Sequence, residues 1–347
     1  MILPNMAQIY LKTTETCNLN CKHCFTSGSN GRKIFFDTIK TLDFFERLKR
    51  DCTWIKGLSF VYHGGEPMLA PLKDLELFKI KVMDIFPDST FGIQTNLVYN
   101  LNPEIVNFFQ DLNGVGISWD FDIRFENKAQ YKLWEKNVKI LAKKVDKLTL
   151  TISLSKNLIK EKSAKHIIEF AIDLGFKHIL FERITSDGNA LNNPNIIPNH
   201  IDASIWCYQM YQDTLEYKLY EKIDNMMLAT IAEGIFNKNN IATSCRNCEQ
   251  TMLTINADGT IAGCANSAPR ENWGNIGMRV LDVLNSKNRI KTVMCEATKN
   301  PICYTCKYLS VCNGGCHRLA WQENECPAPK LIFEERPENF EVLLYGR

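Results

Sequence analysis

Cys17-Asn18-Leu19-Asn20-Cys21-Lys22-His23-Cys24 sets three cysteines within eight residues, directly behind the first apolar stretch of the chain, Met6–Lys12. Three thiolates at this spacing can cap an iron–sulfur cube at three of its four irons and leave the fourth open to a ligand. A structural four-cysteine site has no such vacancy, so the missing fourth cysteine points to chemistry. The competing readings are coincidence and a zinc knuckle. With 14 cysteines in 347 residues, a triplet of this spacing arises by chance in roughly a few per cent of such chains. A catalytic cluster is therefore the favoured reading.

On both sides of the triplet, short apolar runs alternate with longer amphipathic ones. Met6–Lys12, Leu58–Tyr62, Thr90–Gln94, Val115–Trp119, Leu148–Leu154 and Ile179–Ile184 read as strands. Asp37–Arg50, Leu72–Ile85, Pro103–Asp111, Gln130–Lys143 and Ser163–Leu174 read as helices, with Asp37 and Ser163 as N-caps, Pro103 in a first turn and Gly175 behind a C-terminus. Six strand–helix units in succession imply an α/β fold with a parallel sheet and right-handed crossovers, open or curled into a partial barrel. Sites in such folds form at the carboxyl ends of the strands, where the triplet stands. Asp187 and Gly188 read as turn residues. Beyond the loop through Pro194 and Pro198, Ala203–Phe236 reads as one long helical tract, and from about Ser244 the chain turns cysteine-rich and loop-rich. The expected division is a core over residues 1–240, a cysteine-rich domain over 241–330 and a tail over 331–347.

The composition is compatible with this plan. A hydrophobic fraction of 45% suffices for a packed core, and a formal charge of +2 gives no field that favours nucleic acid or anionic lipid. The basic cluster of Lys143, Lys144 and Lys147 reads as a solvated helix face. No run approaches a membrane span, and no secretory signal opens the chain, so a cytoplasmic location is expected. In that compartment 14 cysteines are better explained by metal or cluster ligation than by disulfides.

Three further stretches fall at predicted strand ends: His63-Gly64-Gly65-Glu66-Pro67, Gln94-Thr95-Asn96 and Gly116-Ile117-Ser118-Trp119-Asp120. A Gly-Gly pair lets backbone approach a ligand closely, and a carboxylate can accept from an ammonium group. In this order, behind the triplet, they resemble the radical S-adenosylmethionine (SAM) superfamily over roughly residues 6–235. The resemblance implies a partial (β/α)6 TIM-like barrel and a [4Fe–4S] cluster on Cys17, Cys21 and Cys24, whose open iron is chelated by SAM. It further implies that Gly64, Gly65 and Glu66 receive the SAM amino group and that Asn96, Ser118 and Asp120 lie near its carboxylate and ribose. His23 departs from the family, which usually has an aromatic residue there, and is read as a tolerated variant. The implied chemistry is reductive cleavage of SAM to a 5′-deoxyadenosyl radical that abstracts a hydrogen atom from a substrate.

A second set of cysteines comprises Cys245, Cys248, Cys264, Cys303, Cys306, Cys312, Cys316 and Cys326, with a hairpin turn at Asn256-Ala257-Asp258-Gly259. Eight thiolates suit two four-cysteine clusters, or two zinc knuckles. Residues 244–327 resemble the SPASM extension of peptide-modifying radical enzymes. That resemblance implies a first auxiliary [4Fe–4S] cluster on Cys245, Cys248, Cys264 and Cys316, and a second on Cys303, Cys306, Cys312 and Cys326, making three clusters in all. Fully ligated clusters are suited to passing electrons. Cys52, Cys207 and Cys295 fall outside both sets and read as ordinary thiols.

Three substrate classes compete. A ribosomally made peptide, oxidatively cross-linked or similarly modified, leads. A small molecule undergoing radical dehydrogenation or rearrangement is the second, and a non-enzymatic electron carrier is disfavoured because Gly64-Gly65-Glu66 has no use there. The third is formylglycine generation: the sequence resembles anaerobic sulfatase-maturing enzymes through Trp273-Gly274-Asn275-Ile276 but has Ala265 where they carry an aspartate after the cysteine equivalent to Cys264. Because the first strand and cluster loop begin at once, a peptide is expected to come with a separate leader-binding protein or be recognised directly. A flavodoxin or ferredoxin is the expected reductant. Asp120, Asp122 and Glu182, together with Arg183, are the acid–base candidates near strand ends.

Overall fold

The computed structural model describes residues 3–26, 28–237, 247–335 and 337–345. The described residues form two compact units: those of Met1–Asn20, Cys24–Gly116 and Asn247–Ala297, and those of Cys21–His23, Ile117–Arg246 and Thr298–Arg347.

In the first unit β1 (Met6–Thr14), β2 (Gly57–Gly64) and β3 (Thr90–Thr95) lie side by side in parallel, with Ile9 opposite Phe60 and Lys12 opposite His63. Alternate residues Ala7, Ile9 and Leu11 are wholly buried. Period-two burial of this kind packs one sheet face against helices. Those helices are α1 (Thr38–Asp51) and α2 (Leu72–Ile85), and an aromatic layer joins them to the sheet. Phe45 meets Phe60 edge-on at 5.1 Å, Phe60 meets Phe78 at 5.6 Å and stacks on Phe91 at 4.7 Å. Asp37 caps α1 through the Lys40 N–H at 3.0 Å, as its sequence position requires. Next comes α3 (Pro103–Gln110), capped by Asn102, with Pro103 in its first turn. β4 (Gly114–Ser118) starts in this unit and ends in the other.

In the second unit, α4 (Lys128–Leu141), β5 (Leu148–Leu154), α5 (Lys156–Glu161), α6 (Ala164–Asp173) and β6 (His178–Arg183) follow in order. β5 and β6 pair in parallel. Trp119 packs on Phe170 at 5.0 Å, and Phe181 meets Trp206 edge-on at 5.2 Å. Ser163 caps α6, and Gly175 ends it with φ +89°.

The tract expected as a single helix over Ala203–Phe236 is instead α7 (His200–Glu216) and α8 (Met226–Asn237), separated by the short strand β7 (Asp224–Asn225). Lys218 turns left-handed at φ 49°, and β7 pairs with β6 through the Asp224 N–H to Lys177 carbonyl bond of 2.9 Å. Asn225 then starts α8 by accepting from the Leu228 N–H. A helical apolar period runs through this break, and only pairing with β6 reveals it.

Beyond residue 247, β8 (Met252–Ile255) pairs in parallel with β1, from Gln8 opposite Met252 to Leu11 opposite Ile255. β9 (Thr260–Ala262) and β10 (Gly274–Asn275) continue as antiparallel neighbours. The turn between β8 and β9 is the one expected, with Gly259 at φ +80°.

Candidate active site

The first unit gathers three strand ends around the loop that leaves β1. Gly65 N–H donates to the Thr14 carbonyl and Glu66 N–H to the Thr16 carbonyl, both at 2.9 Å. Gly64 has φ +134°, and a Cβ on it or on Gly65 would collide with the Thr14 or Thr16 carbonyl oxygen. The close approach that the Gly-Gly pair provides here is to the chain itself, just ahead of Cys17.

Glu66 is fully buried. Its Oε1 accepts from Thr95 Oγ1 at 2.7 Å and Met68 N–H at 3.1 Å, and its Oε2 accepts from Asn96 N–H at 2.8 Å. The carboxylate thus ties the end of β2 to the end of β3. Asn96 Nδ2 donates to Asn18 Oδ1 at 2.8 Å and to Cys17 Sγ at 3.5 Å, while its Oδ1 accepts from Val98 N–H. Cys17 Sγ also accepts from Leu19 N–H at 3.4 Å. Cys17, Glu66 and Asn96, far apart in the chain, are therefore one connected network. Lys12 and His63 border it. His63 Nδ1 accepts from Gly64 N–H at 2.8 Å, and burial together with the charge of Lys12 lowers the imidazole to about 4, so it is neutral.

The second unit carries Cys21, His23, Ser118, Asp120, Asp122 and Glu182. Asn189 Nδ2 donates to the Cys21 carbonyl at 3.0 Å, and Lys22 N–H to the Ile123 carbonyl at 3.0 Å. Ser118 is buried at the end of β4. Asp120 is buried too, accepting from Arg124 Nε at 2.6 Å and Ser153 N–H at 2.5 Å. Burial opposes its charge, yet the Arg124 guanidinium and the Ser153 donor hold it below the usual carboxylate range. His23 Nε2 lies 3.4 Å from Asp120, but burial lowers this imidazole to about 4 despite that carboxylate, so Arg124 is the cation that matters. Asp122 accepts from Ser155 Oγ at 2.8 Å and Asn157 Nδ2 at 2.6 Å, which binds it to the start of α5.

Glu182 differs from Asp120. Its residue meets solvent in part, and the protein packed around the carboxyl together with the charge of Asp120 raises it to about 6 against the pull of Arg124. Between it and Asp120, Glu182 is the carboxylate raised toward proton exchange near neutrality. Arg124 belongs to no motif, and its position four residues after Asp120 is the one sequence signal that points to it.

The later cysteines divide between the units. Cys248 opens α9 (Cys248–Thr251), and Cys264 follows β9, its Sγ accepting from Asn266 N–H at 3.4 Å. Cys245 lies outside the described residues. In the second unit, burial and the neighbouring Cys326 and Cys306 thiols raise Cys303, while Lys330 and Lys299 oppose them. Cys326, twenty-three residues from Cys303 in the chain, is thereby brought into its electrostatic neighbourhood. Arg183 secures this arrangement: Nη1 donates to the Pro327 carbonyl at 3.0 Å and Nη2 to His200 Nδ1 at 2.8 Å, and His200 Nε2 donates to the Ala320 carbonyl at 2.8 Å. Left-handed Asn313, Gly314 and Gly315 shape the turn between Cys312 and Cys316. Among the described residues no three His, Cys, Asp or Glu side chains converge as ligands of one metal ion. Cys52 and Cys207 are buried, which pushes their thiols up to about 11 and about 12. Cys295 is exposed.

The chain matches solved structures over 97–98% of its length. Hexahistidine-tagged anSMEcpe with bound AdoMet matches with a TM-score of 0.76 and 18% identity, over 98% of this chain and 93% of that one. Native anSMEcpe with AdoMet and Cp18Cys peptide matches at 0.75 and 16%, over 97% and 96%. Streptococcus suis SuiB bound to precursor peptide SuiA matches at 0.62 and 15%, over 97% and 75%. The fold is that of the radical SAM enzymes. The radical SAM fold bears out the expected α/β class with a parallel sheet around a TIM-like core. A stretch of 127 residues is 29% identical to an uncharacterized protein of Methanocaldococcus jannaschii, covering 34% of this chain and only 40% of that protein. No protein-family model matches.

The thiols that this radical SAM fold sets at Cys17 and Cys264 are fit for cluster ligation. Backbone and amide N–H groups pointed at sulfur stabilise thiolate charge and tune a cluster. Among the described residues no helix is long and apolar enough to cross a membrane.

Proposed function

We propose that this protein is a radical SAM enzyme with a SPASM segment that oxidatively modifies a peptide. Cys17, Cys21 and Cys24 would hold the SAM-binding cluster, and Cys245, Cys248, Cys264, Cys316 and Cys303, Cys306, Cys312, Cys326 the two auxiliary ones. Such clusters supply the electron that splits SAM and accept one from the oxidised substrate. The observation that carries this reading is the network in which Asn96 bridges Glu66 and the Cys17 sulfur, on a fold shared with AdoMet-bound structures.

The protein's own groups then have defined tasks. Gly64, Gly65 and Glu66 would receive the SAM ammonium, and Asn96, Ser118 and Asp120 would orient the remaining polar groups of SAM. Glu182 accepts the substrate proton. Residues 1–240 serve as the radical core, 241–330 as the auxiliary-cluster segment and 331–347 as a tail. A flavodoxin or ferredoxin in the cytoplasm supplies electrons. Peptide is favoured over small molecule because solved relatives are named with Cp18Cys and SuiA peptides. Formylglycine formation is disfavoured because Ala265 cannot take a proton.

Anaerobic reconstitution tests the proposal. About twelve irons per chain and reductant-dependent release of 5′-deoxyadenosine are expected, with no release after Cys17→Ala. Zinc in place of iron on the later cysteines would overturn the auxiliary assignment. The substrate is to be sought among short reading frames beside the gene.

A further inference from the structure

The turn that leaves β3 is strained. Leu97 is wholly buried yet holds a left-handed backbone, with φ 55°, a conformation that is unfavourable for leucine and persists only where its neighbours impose it. Its effect is to fold the chain back onto Thr95. Leu97 N–H donates to Thr95 Oγ1 at 3.1 Å, and the Tyr99 hydroxyl lies 3.0 Å from the same oxygen. Thr95 Oγ1 in turn donates to Glu66 Oε1 at 2.7 Å. A hydroxyl has one hydrogen to give and two lone pairs that receive, whereas a carboxylate only accepts. The Thr95 hydrogen therefore goes to Glu66, and the Tyr99 O–H donates to Thr95. Each donor and acceptor position of the Thr95 hydroxyl is then filled. Burial and the charge of Glu66 raise the Tyr99 phenol well above its usual range, so it keeps the proton that it donates.

We propose that Tyr99 and Thr95 are positioning residues for Glu66, a chain of hydrogen bonds that fixes its carboxylate for the amino group of SAM. The chain runs one way, from Tyr99 to Thr95 to Glu66, because the acceptor of each hydroxyl is already set. Thr95 pins Oε1, which it shares with Met68 N–H, while Asn96 N–H holds Oε2. A carboxylate held on both oxygens keeps its orientation before a ligand arrives, so binding has little left to order. Where water is excluded, successive hydrogen bonds also strengthen one another. Thr95 stands in the Gln94-Thr95-Asn96 stretch, but Tyr99 belongs to no motif. Only the left-handed turn at Leu97 brings it back to the strand end.

This inference rests on the assignment of Glu66 to the SAM amino group, and a pair of ligands separates the two. Reconstituted wild type, Thr95→Val, Thr95→Ser and Tyr99→Phe are compared by equilibrium dialysis against SAM and against the SAM analogue in which hydrogen replaces the amino group. Thr95→Val is expected to lose about tenfold in affinity for SAM and none for the analogue, with iron content unchanged. Tyr99→Phe loses less, in the same sense, and Thr95→Ser, which keeps the hydroxyl, stays close to wild type. If Thr95→Val does not retain its iron, Thr95→Ala takes its place under the same criteria. Unmoved SAM affinity in that variant, equal losses for the two ligands, or a loss in Thr95→Ser as large as in Thr95→Val overturns the positioning role. Unmoved affinity in Tyr99→Phe alone removes Tyr99 from the chain. A wild type that binds SAM no more tightly than the analogue overturns the assignment of Glu66 instead.

Discussion

Glu182 and Asp120 show how much a carboxylate's role depends on its surroundings. Both are acid–base candidates in the sequence, with nothing there to separate them. Arg124 and the Ser153 N–H hold Asp120 as a fixed anion, whereas Glu182 is raised to about 6 beside it. Modification of the cognate peptide by wild type should therefore rise as pH increases through about 6, because the carboxyl must lose its proton to act as a base. Glu182→Gln should lower product formation by about 10²-fold or more and abolish that rise, while 5′-deoxyadenosine is still released. An unaltered pH profile in this variant would remove Glu182 from the mechanism. At this scale the residue types were legible and their states were not: protonation depends on neighbours that arrive from β4, β5 and β6.

Among elements, the turn after β2 is the best example of a motif with a structural duty. Gly64 and Gly65 admit the carbonyls of Thr14 and Thr16, so the loop that carries Cys17 is seated by hydrogen bonds that any side chain would block. Gly65→Ala is expected to cost about 1–3 kcal/mol in stability, read by chemical denaturation, and to reduce the iron held by the first cysteine triplet. Iron retention equal to wild type would show that the loop is seated by other contacts. Helix caps at Asp37 and Ser163, and the turn at Gly259, were readable because each is a local matter of one side chain or one φ angle. The interruption at Lys218 and the strand Asp224–Asn225 were not, since the apolar period continues across them and the break is decided by pairing with β6.

For the molecule as a whole, the second cysteine group depends on contacts remote in the chain. Arg183 at the end of β6 and His200 at the start of α7 grip the backbone at Pro327 and Ala320, and Cys326 lies between those points in sequence. Arg183→Met should therefore lower iron content from about twelve toward about eight per chain while SAM cleavage persists. Full iron in that variant would mean that the clamp is dispensable. The amino-acid sequence by itself determined the cysteine triplet, the alternation of strands and helices, and hence the radical SAM fold, because periodicity and ligand spacing are written over short distances. Only the tertiary structure decided that β8 lies along β1, that Asn96 reaches the Cys17 sulfur, and that the Glu182 carboxyl is raised to about 6 while Asp120 is held below the usual carboxylate range. Those outcomes come from burial and charge shared among segments far apart in the chain, and no local spacing encodes them.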